Sequence, residues 1–256
     1  MTENDGIVVY RRDGDVGLVE MNRPPHNLLE GTLLAGLSEA FALAVDEGCR
    51  SILLSSRLRH FCAGADLDAM GSGGLGELDL IGWLRAVEDL PVPTVAAVHG
   101  AALGGGFELA LACDLIIAAE SAQIGLVETT LGLFPLMGGV SRAVAGAGLA
   151  RAKELAMLGR RHTPATLERW GLVNQVVADD ALAEAGLSLA RQLAAGPTVA
   201  YRAVKRIANE TAAHGVHAGD EVIGEVAPAV WASSDLKAGL DAFFATGTAD
   251  GVFSGS

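Results

Sequence analysis

The sequence predicts an α/β fold, and three observations carry that prediction. Short β-rich runs alternate with amphipathic helical stripes over the first 145 or so of the 256 residues. Glycine-rich turns follow the strands at 61–67 and 104–106. Half of the residues are hydrophobic but only 5% are aromatic, with 33 glycines, a composition suited to a core of closely approaching backbones. Beyond Ala145 the pattern turns mainly helical. Gly196-Pro197 is the best boundary, dividing a site-bearing part, 1–195, from a helical part, 196–256.

The elements follow in order. Residues 7–11 and 16–21 are β-rich and joined by Asp13-Gly14-Asp15, a hairpin signal. Pro24 and Pro25 forbid ladder and helix, so 22–27 is a loop. Leu33, Leu34, Leu37, Phe41 and Val45 form one stripe of a helix over 32–46. Residues 51–55 read as a short buried strand and 78–90 as a helix ended by Pro91 and Pro93. Strands are expected at 94–98 and 115–119, and an extended segment at 172–177. Later helices are expected at 150–158, 164–170, 180–195, 197–213, 218–232 and 234–244.

The stretch VAAVHGAALGGGFELALACDL, 95–115, organises the chain. It reads as strand, glycine turn and helix opening at Gly104-Gly105-Gly106. A helix start offers unpaired N–H groups and the positive end of the dipole. Glu108 lies three residues after Gly105, on the same face, among Phe107, Leu109, Ala110, Leu111, Ala112 and Cys113. A carboxylate on so apolar a helix is costly without a role or a partner. The plainer reading is that the glycines serve packing and Glu108 is a paired core acid. A membrane span over 94–119 is set aside because His99, Glu108 and Asp114 fall inside it. Ala65, following Gly64 at the other glycine turn, offers a second N–H. With Gly105 it could clamp one oxygen, flanked by Glu108 and Glu128 as acid and base. Spacing alone does not bring these four points together.

Other classes are disfavoured. The formal net charge of −13 argues against non-specific nucleic-acid binding, which needs clustered Lys and Arg. Cys49, Cys62 and Cys113 are odd in number, with no C-x-x-C, which points to a reducing compartment and away from a metal site. The polar, acidic 1–5 segment resembles no targeting peptide, so a cytoplasmic protein is expected, with neither membrane nor nucleic acid as partner. GSGGLG at 71–76 fits G-x-G-x-x-G by letter, but the acids Glu77 and Asp79 follow it, so it reads as a loop. Cys62 and His99 read as packed residues.

Five ordered segments then carry a resemblance: the 95–115 stretch, FCAGADL at 61–67, AQIGLVETTLGLFPLMGG with Ser141-Arg142, KELAMLGRRHTPATLERWGLVNQVV, and LKAGLDAFFATG with Phe253-Ser254-Gly255. Over essentially its full length the chain resembles the enoyl-CoA hydratase/isomerase family of the crotonase superfamily. The resemblance implies a crotonase-like spiral of ββα units capped by C-terminal helices, a homotrimer or dimer of trimers, and an acyl-CoA thioester substrate. Coenzyme A would enter as part of that substrate, with no separate cofactor and no metal. It implies Ala65 and Gly105 as oxyanion donors, beside Gly104, and Glu108 and Glu128 as catalytic glutamates. Pro25, His26, Leu28, Ala63, Asp66 and Leu67 fall where the family holds the CoA arm. Phe134, Leu136 and Met137 fall near the acyl chain. Arg59 and Lys237 are the candidate cations for the CoA phosphates of so acidic a chain. Hydration of a 2-enoyl-CoA is the expected reaction. The alternatives are double-bond isomerisation, another acyl-CoA lyase or hydrolase reaction of the fold, or a non-catalytic binding role. Val127 stands where the family often has proline, Leu136 and Met137 where it often has small residues, and the loop after Arg23 is one residue shorter than common versions.

Overall fold

Alternation along the strands sets the layers. In the computed structural model, which describes residues 6–68, 78–248 and 251–256, six strands form one sheet in the order β1 (Val8–Asp13), β2 (Val16–Met21), β3 (Ser51–Ser56), β4 (Thr94–Val98), β6 (Leu115–Ala119) and β8 (Gln175–Val177). The β1–β2 hairpin is antiparallel and every other pairing is parallel. Successive side chains point to opposite faces. Ile52, Leu54, Ala96, Val98, Ile116 and Ala118 therefore share one face, and Leu53, Val95, Ala97, Ile117 and Ala119 the other. The first face is covered by α1 (Gly31–Asp46) through Leu33, Leu37 and Phe41, by α2 (Leu80–Glu88) through Leu84 and Val87, and by α3 (Gly105–Leu111). The second is covered by α6 (Leu182–Ala194) through Leu182, Ala190 and Ala194. Burial on both faces is what parallel strands require, and it confirms the α/β reading.

The apolar run 94–119 resolves into β4, a short strand β5 (Ala101–Leu103), α3 and β6. Among the described residues no helix is long and apolar enough to cross a membrane. β5 pairs in parallel with β7 (Gln123–Gly125) as a second, two-stranded sheet. The sequence reading had 101–103 within the glycine turn, because three residues are too few for a periodicity signal.

Helix α4 (Gly139–Leu158) begins well before the expected 150. Gly148 interrupts it at φ 78°, ψ 165°, and only its second half shows a readable stripe. α2 starts at Leu80, where the Asp79 carboxylate accepts from Gly82 N at 2.8 Å. The GSGGLG loop and Glu77 lie outside the described residues. α5 (Pro164–Arg169) precedes β8, and α7 (Thr198–His214), α8 (Val216–Ala232) and α9 (Ser234–Thr246) complete the chain. The buried Asp235 carboxylate accepts from Ser254 N and Gly255 N. Arg50 donates to Phe253 O, Gly196 O and Thr198 Oγ1, joining this tail to the first half of the chain.

Candidate active site

The first glycine turn is stitched on two sides. A parallel bridge joins Cys62 to Ala102 of β5, with Cys62 N donating to Ala101 O and Leu103 N to Cys62 O. A second parallel bridge joins Leu29 to Ala65, with Leu29 N donating to Gly64 O and Asp66 N to Leu29 O. In such a bridge Leu29 uses both its backbone groups on the neighbours of Ala65. The Ala65 N–H is thereby turned away from Leu29, and it has no acceptor among the described residues. It is turned toward α3. A Cβ placed on Gly105 would come 3.9 Å from the Ala65 nitrogen. Gly105 N opens α3 and, as one of the orphan donors of a helix start, also lacks an acceptor among the described residues. Gly104 makes this meeting possible. Its φ of 51° with ψ of −126° suits only glycine, its N–H is held by Gly125 O of β7 at 2.8 Å, and its carbonyl accepts from Phe107 and Glu108.

Glu108 is 1% exposed. Its Oε1 accepts from Met137 N at 2.9 Å and Gly139 N at 2.7 Å, the latter at the start of α4. Burial pushes its carboxyl up to about 7. The two N–H bonds and Arg142 pull it down, and Glu128 adds to the rise. Glu128 opens a single helical turn, Glu128–Leu131. Both its carboxylate oxygens are buried and have no hydrogen-bond partner among the described residues, and burial raises its carboxyl too. A Cβ on Gly104 would sit 3.0 Å from Glu128 Oε1. All four predicted points therefore border one cleft of about 410 Å³, with apolar walls that include Leu29, Leu78, Ile81, Leu103 and Leu131. Among the described residues no three His, Cys, Asp or Glu side chains group to hold a metal ion.

A model of the family described as Enoyl-CoA hydratase/isomerase matches residues 11–250. The chain belongs to that family. It is 36% identical over 243 residues to a protein named probable enoyl-CoA hydratase from Rhizobium meliloti (strain 1021), covering 93% of this chain and 95% of that one. It is 35% identical over 242 residues to the carnitinyl-CoA dehydratase of Salmonella typhi, covering 91% and 93%. The solved enoyl-CoA hydratase of Bacillus anthracis superposes with a TM-score of 0.88 at 31% identity, covering 98% of this chain and all of that one.

The other residues the family resemblance pointed to divide by place. Ala63, Leu67, Gly104, Phe134, Leu136 and Met137 line the cleft with the four central residues. Met137 is 4% exposed and donates its N–H to Glu108, whereas Leu136 is 37% exposed. Pro25, His26 and Leu28 stand beside the cleft, tied to it by Ala63 N donating to His26 O at 3.1 Å. Asp66 ion-pairs with Arg23, which also holds Glu30. Neither expected cation lines the cleft. Arg59 borders a separate cavity of about 700 Å³ against α6, and Lys237 is exposed on α9. Cys62 is buried, its thiol donating to Asn27 O at 2.9 Å and pushed up to about 12 by burial. His99 Nε2 lies 2.7 Å from Leu58 O. The sequence reading missed Leu78, Ile81 and Leu131 as cleft walls. It also missed Glu88 and Arg142, which pair behind Glu108.

Proposed function

We propose that this chain is an enoyl-CoA hydratase, adding water in syn fashion across the C2–C3 double bond of a 2-enoyl-CoA. One observation carries the reading: two N–H groups without acceptors among the described residues and two buried carboxylates open into a single apolar-walled cleft. The thioester oxygen sits between the Ala65 and Gly105 N–H groups. Attack of water at C3 moves the electron pair onto that oxygen, and the two donors stabilise the enolate. Losing one such donor typically lowers the rate roughly 10²–10³-fold. Glu108 takes the proton released by water, because two backbone N–H bonds favour its charged form. Glu128, whose carboxyl burial raises, delivers a proton to C2. Each transfer contributes about 10²–10⁴. Coenzyme A enters only as part of the substrate, and no other cofactor takes part.

The test uses the purified protein with 2-enoyl-CoA esters from four carbons upward, following loss of the conjugated absorbance. Wild type should turn over at least one of them. Glu108→Gln and Glu128→Gln should each lose activity by orders of magnitude while staying folded, and the double variant should be little worse than the worse single one. No loss of absorbance with any 2-enoyl ester, together with a gain from a 3-enoyl ester, would replace the hydratase by an isomerase. So would a Glu108→Gln variant still fully active while Glu128→Gln is dead. Binding of the CoA ester without any turnover would instead leave a non-catalytic member.

A further inference from the structure

The turn that feeds Glu108 is held from behind. Met137 N and Gly139 N both donate to Glu108 Oε1. Two donors two residues apart reach one oxygen only if the peptide between them bends sharply, and Gly138 provides that bend at φ 88°, ψ 18°. A Cβ on Gly139 would lie 2.7 Å from Glu108 Cγ, so only glycine lets the carboxylate so close. The Met137 and Gly138 carbonyls both accept from Arg142 Nη1, at 3.2 and 3.3 Å. The other edge of that guanidinium, Nε and Nη2, meets Glu88 Oε1 and Oε2, each at 2.7 Å. The fork is bidentate and mostly buried, a geometry that lysine does not reproduce.

We propose that Arg142, locked by Glu88, is a positioning residue for Glu108: it holds the 137–139 turn so that both N–H groups stay on Oε1, leaving Oε2 without a hydrogen bond from the described residues. The inference rests on the reading of Glu108 as the group that takes the proton from water. It adds a link between elements. Glu88 ends α2, whose Leu80 and Ile81 line the cleft, so one fork ties a substrate-facing wall to the turn that serves Glu108.

The test separates position from charge. Among the described residues the charged side chains facing Glu108 are Glu128 and Arg142. Arg142→Lys keeps the charge and loses the fork; Arg142→Ala loses both. Hydration is measured against pH on the 2-enoyl-CoA that wild type prefers. Loosened N–H bonds favour the charged form of Glu108 less, so the acid limb should move to higher pH by about one unit, the equivalent of weakening one charged hydrogen bond. For both variants kcat should fall at least about tenfold, with KM changed less than about twofold. A folded Arg142→Lys with wild-type kcat and an unmoved acid limb overturns the proposal, since charge or packing would then be all that Arg142 supplies. If neither variant folds, Glu88→Gln, which breaks the ionic fork from its other side, is read by the same criterion. Glu108→Gln serves as the control. Full activity there would sink the hydratase reading itself, while an inactive Glu108→Gln beside a wild-type-like Arg142→Lys would sink only the positioning role.

Discussion

At the scale of single residues, burial alone does not make a reactive group. Cys62 and Glu108 are both desolvated and both held up in pKa. The thiol donates to a carbonyl and is pushed up to about 12, which leaves it inert near neutral pH. Glu108 keeps two backbone donors and a neighbouring acid, and sits at about 7, where a proton can move both ways. That setting lowers stability in a way that can be measured. An unfolded glutamate releases its proton near 4.5, while folded Glu108 keeps it to about 7. Between those values the native state binds more protons than the unfolded chain, so stability falls as pH rises. At about 1.4 kcal/mol per unit the loss is on the order of 3 kcal/mol by pH 8. Gln at 108 can still accept the two N–H bonds and does not titrate. Glu108→Gln should therefore unfold later than wild type at pH 8 and together with it near pH 4, by denaturant melts at both values. A stability difference independent of pH would refute the assignment.

At the scale of elements, what the sequence made legible was what is local. The 94–98 strand, the glycine-opened helix and the apolar ring around Glu108 are all encoded within one stretch, and the structure has them there. Ala65 was legible as a turn residue. Its N–H faces α3 because of the bridge to Leu29, thirty-six positions earlier in the chain, which no local pattern reports. The first half of α4 was hidden by Gly146 and Gly148, and the Arg142–Glu88 fork spans two helices. Arg59 and Lys237 do not line the cleft of the single chain, and Lys237 was expected to act on a neighbouring copy, because placing a cation needs the tertiary path of the chain. The acyl loop shows the same division. Leu136 and Met137 are neighbours of similar size, yet Leu136 faces the cleft half-open while Met137 packs beneath it, with Sδ 3.3 Å from where a Gly105 Cβ would be. Met137→Ala should thus lower stability by roughly 2–5 kcal/mol and leave the preferred acyl length alone. Leu136→Ala should barely move the melting temperature and should shift preference toward longer chains, each extra buried CH₂ adding about 0.8 kcal/mol. Melting curves with a chain-length series decide this. The reverse pattern would exchange the two assignments.

At the scale of the whole molecule, the C-terminal helices carry apolar surface that the rest of the chain leaves uncovered. Trp231 at the end of α8 is 75% exposed and Phe244 on α9 is 79% exposed, with Val216, Ile223, Leu240 and Phe243 also open on these two helices. Scattered apolar residues on a surface need no explanation, but six large ones on two consecutive helices are the kind of surface that self-association covers. The strongly acidic net charge keeps copies of the chain apart at long range, so self-association has to come from close contact, and aromatic side chains supply that best. We propose that α8 and α9 pack against further copies of this chain, giving the trimer or dimer of trimers that the family resemblance implies. Light scattering at micromolar concentration should then return about three or six times the chain mass of 26.2 kDa. Trp231→Glu combined with Phe244→Glu should reduce it to one, since each carboxylate would be left unpaired in a dry contact. Neither side chain lines the cleft, so the single chain should keep its melting behaviour and its Glu108 pH profile. Lys237 sits on α9 between the two substituted positions. If it reaches a neighbour's CoA phosphates, the dissociated variant should show a raised KM for the CoA ester with kcat nearly unchanged, and Lys237→Ala in the intact assembly should reproduce that rise. A wild-type mass of 26.2 kDa would remove the self-packing proposal. An assembly with an unchanged KM in Lys237→Ala would keep the interface and strike Lys237 from the phosphate site.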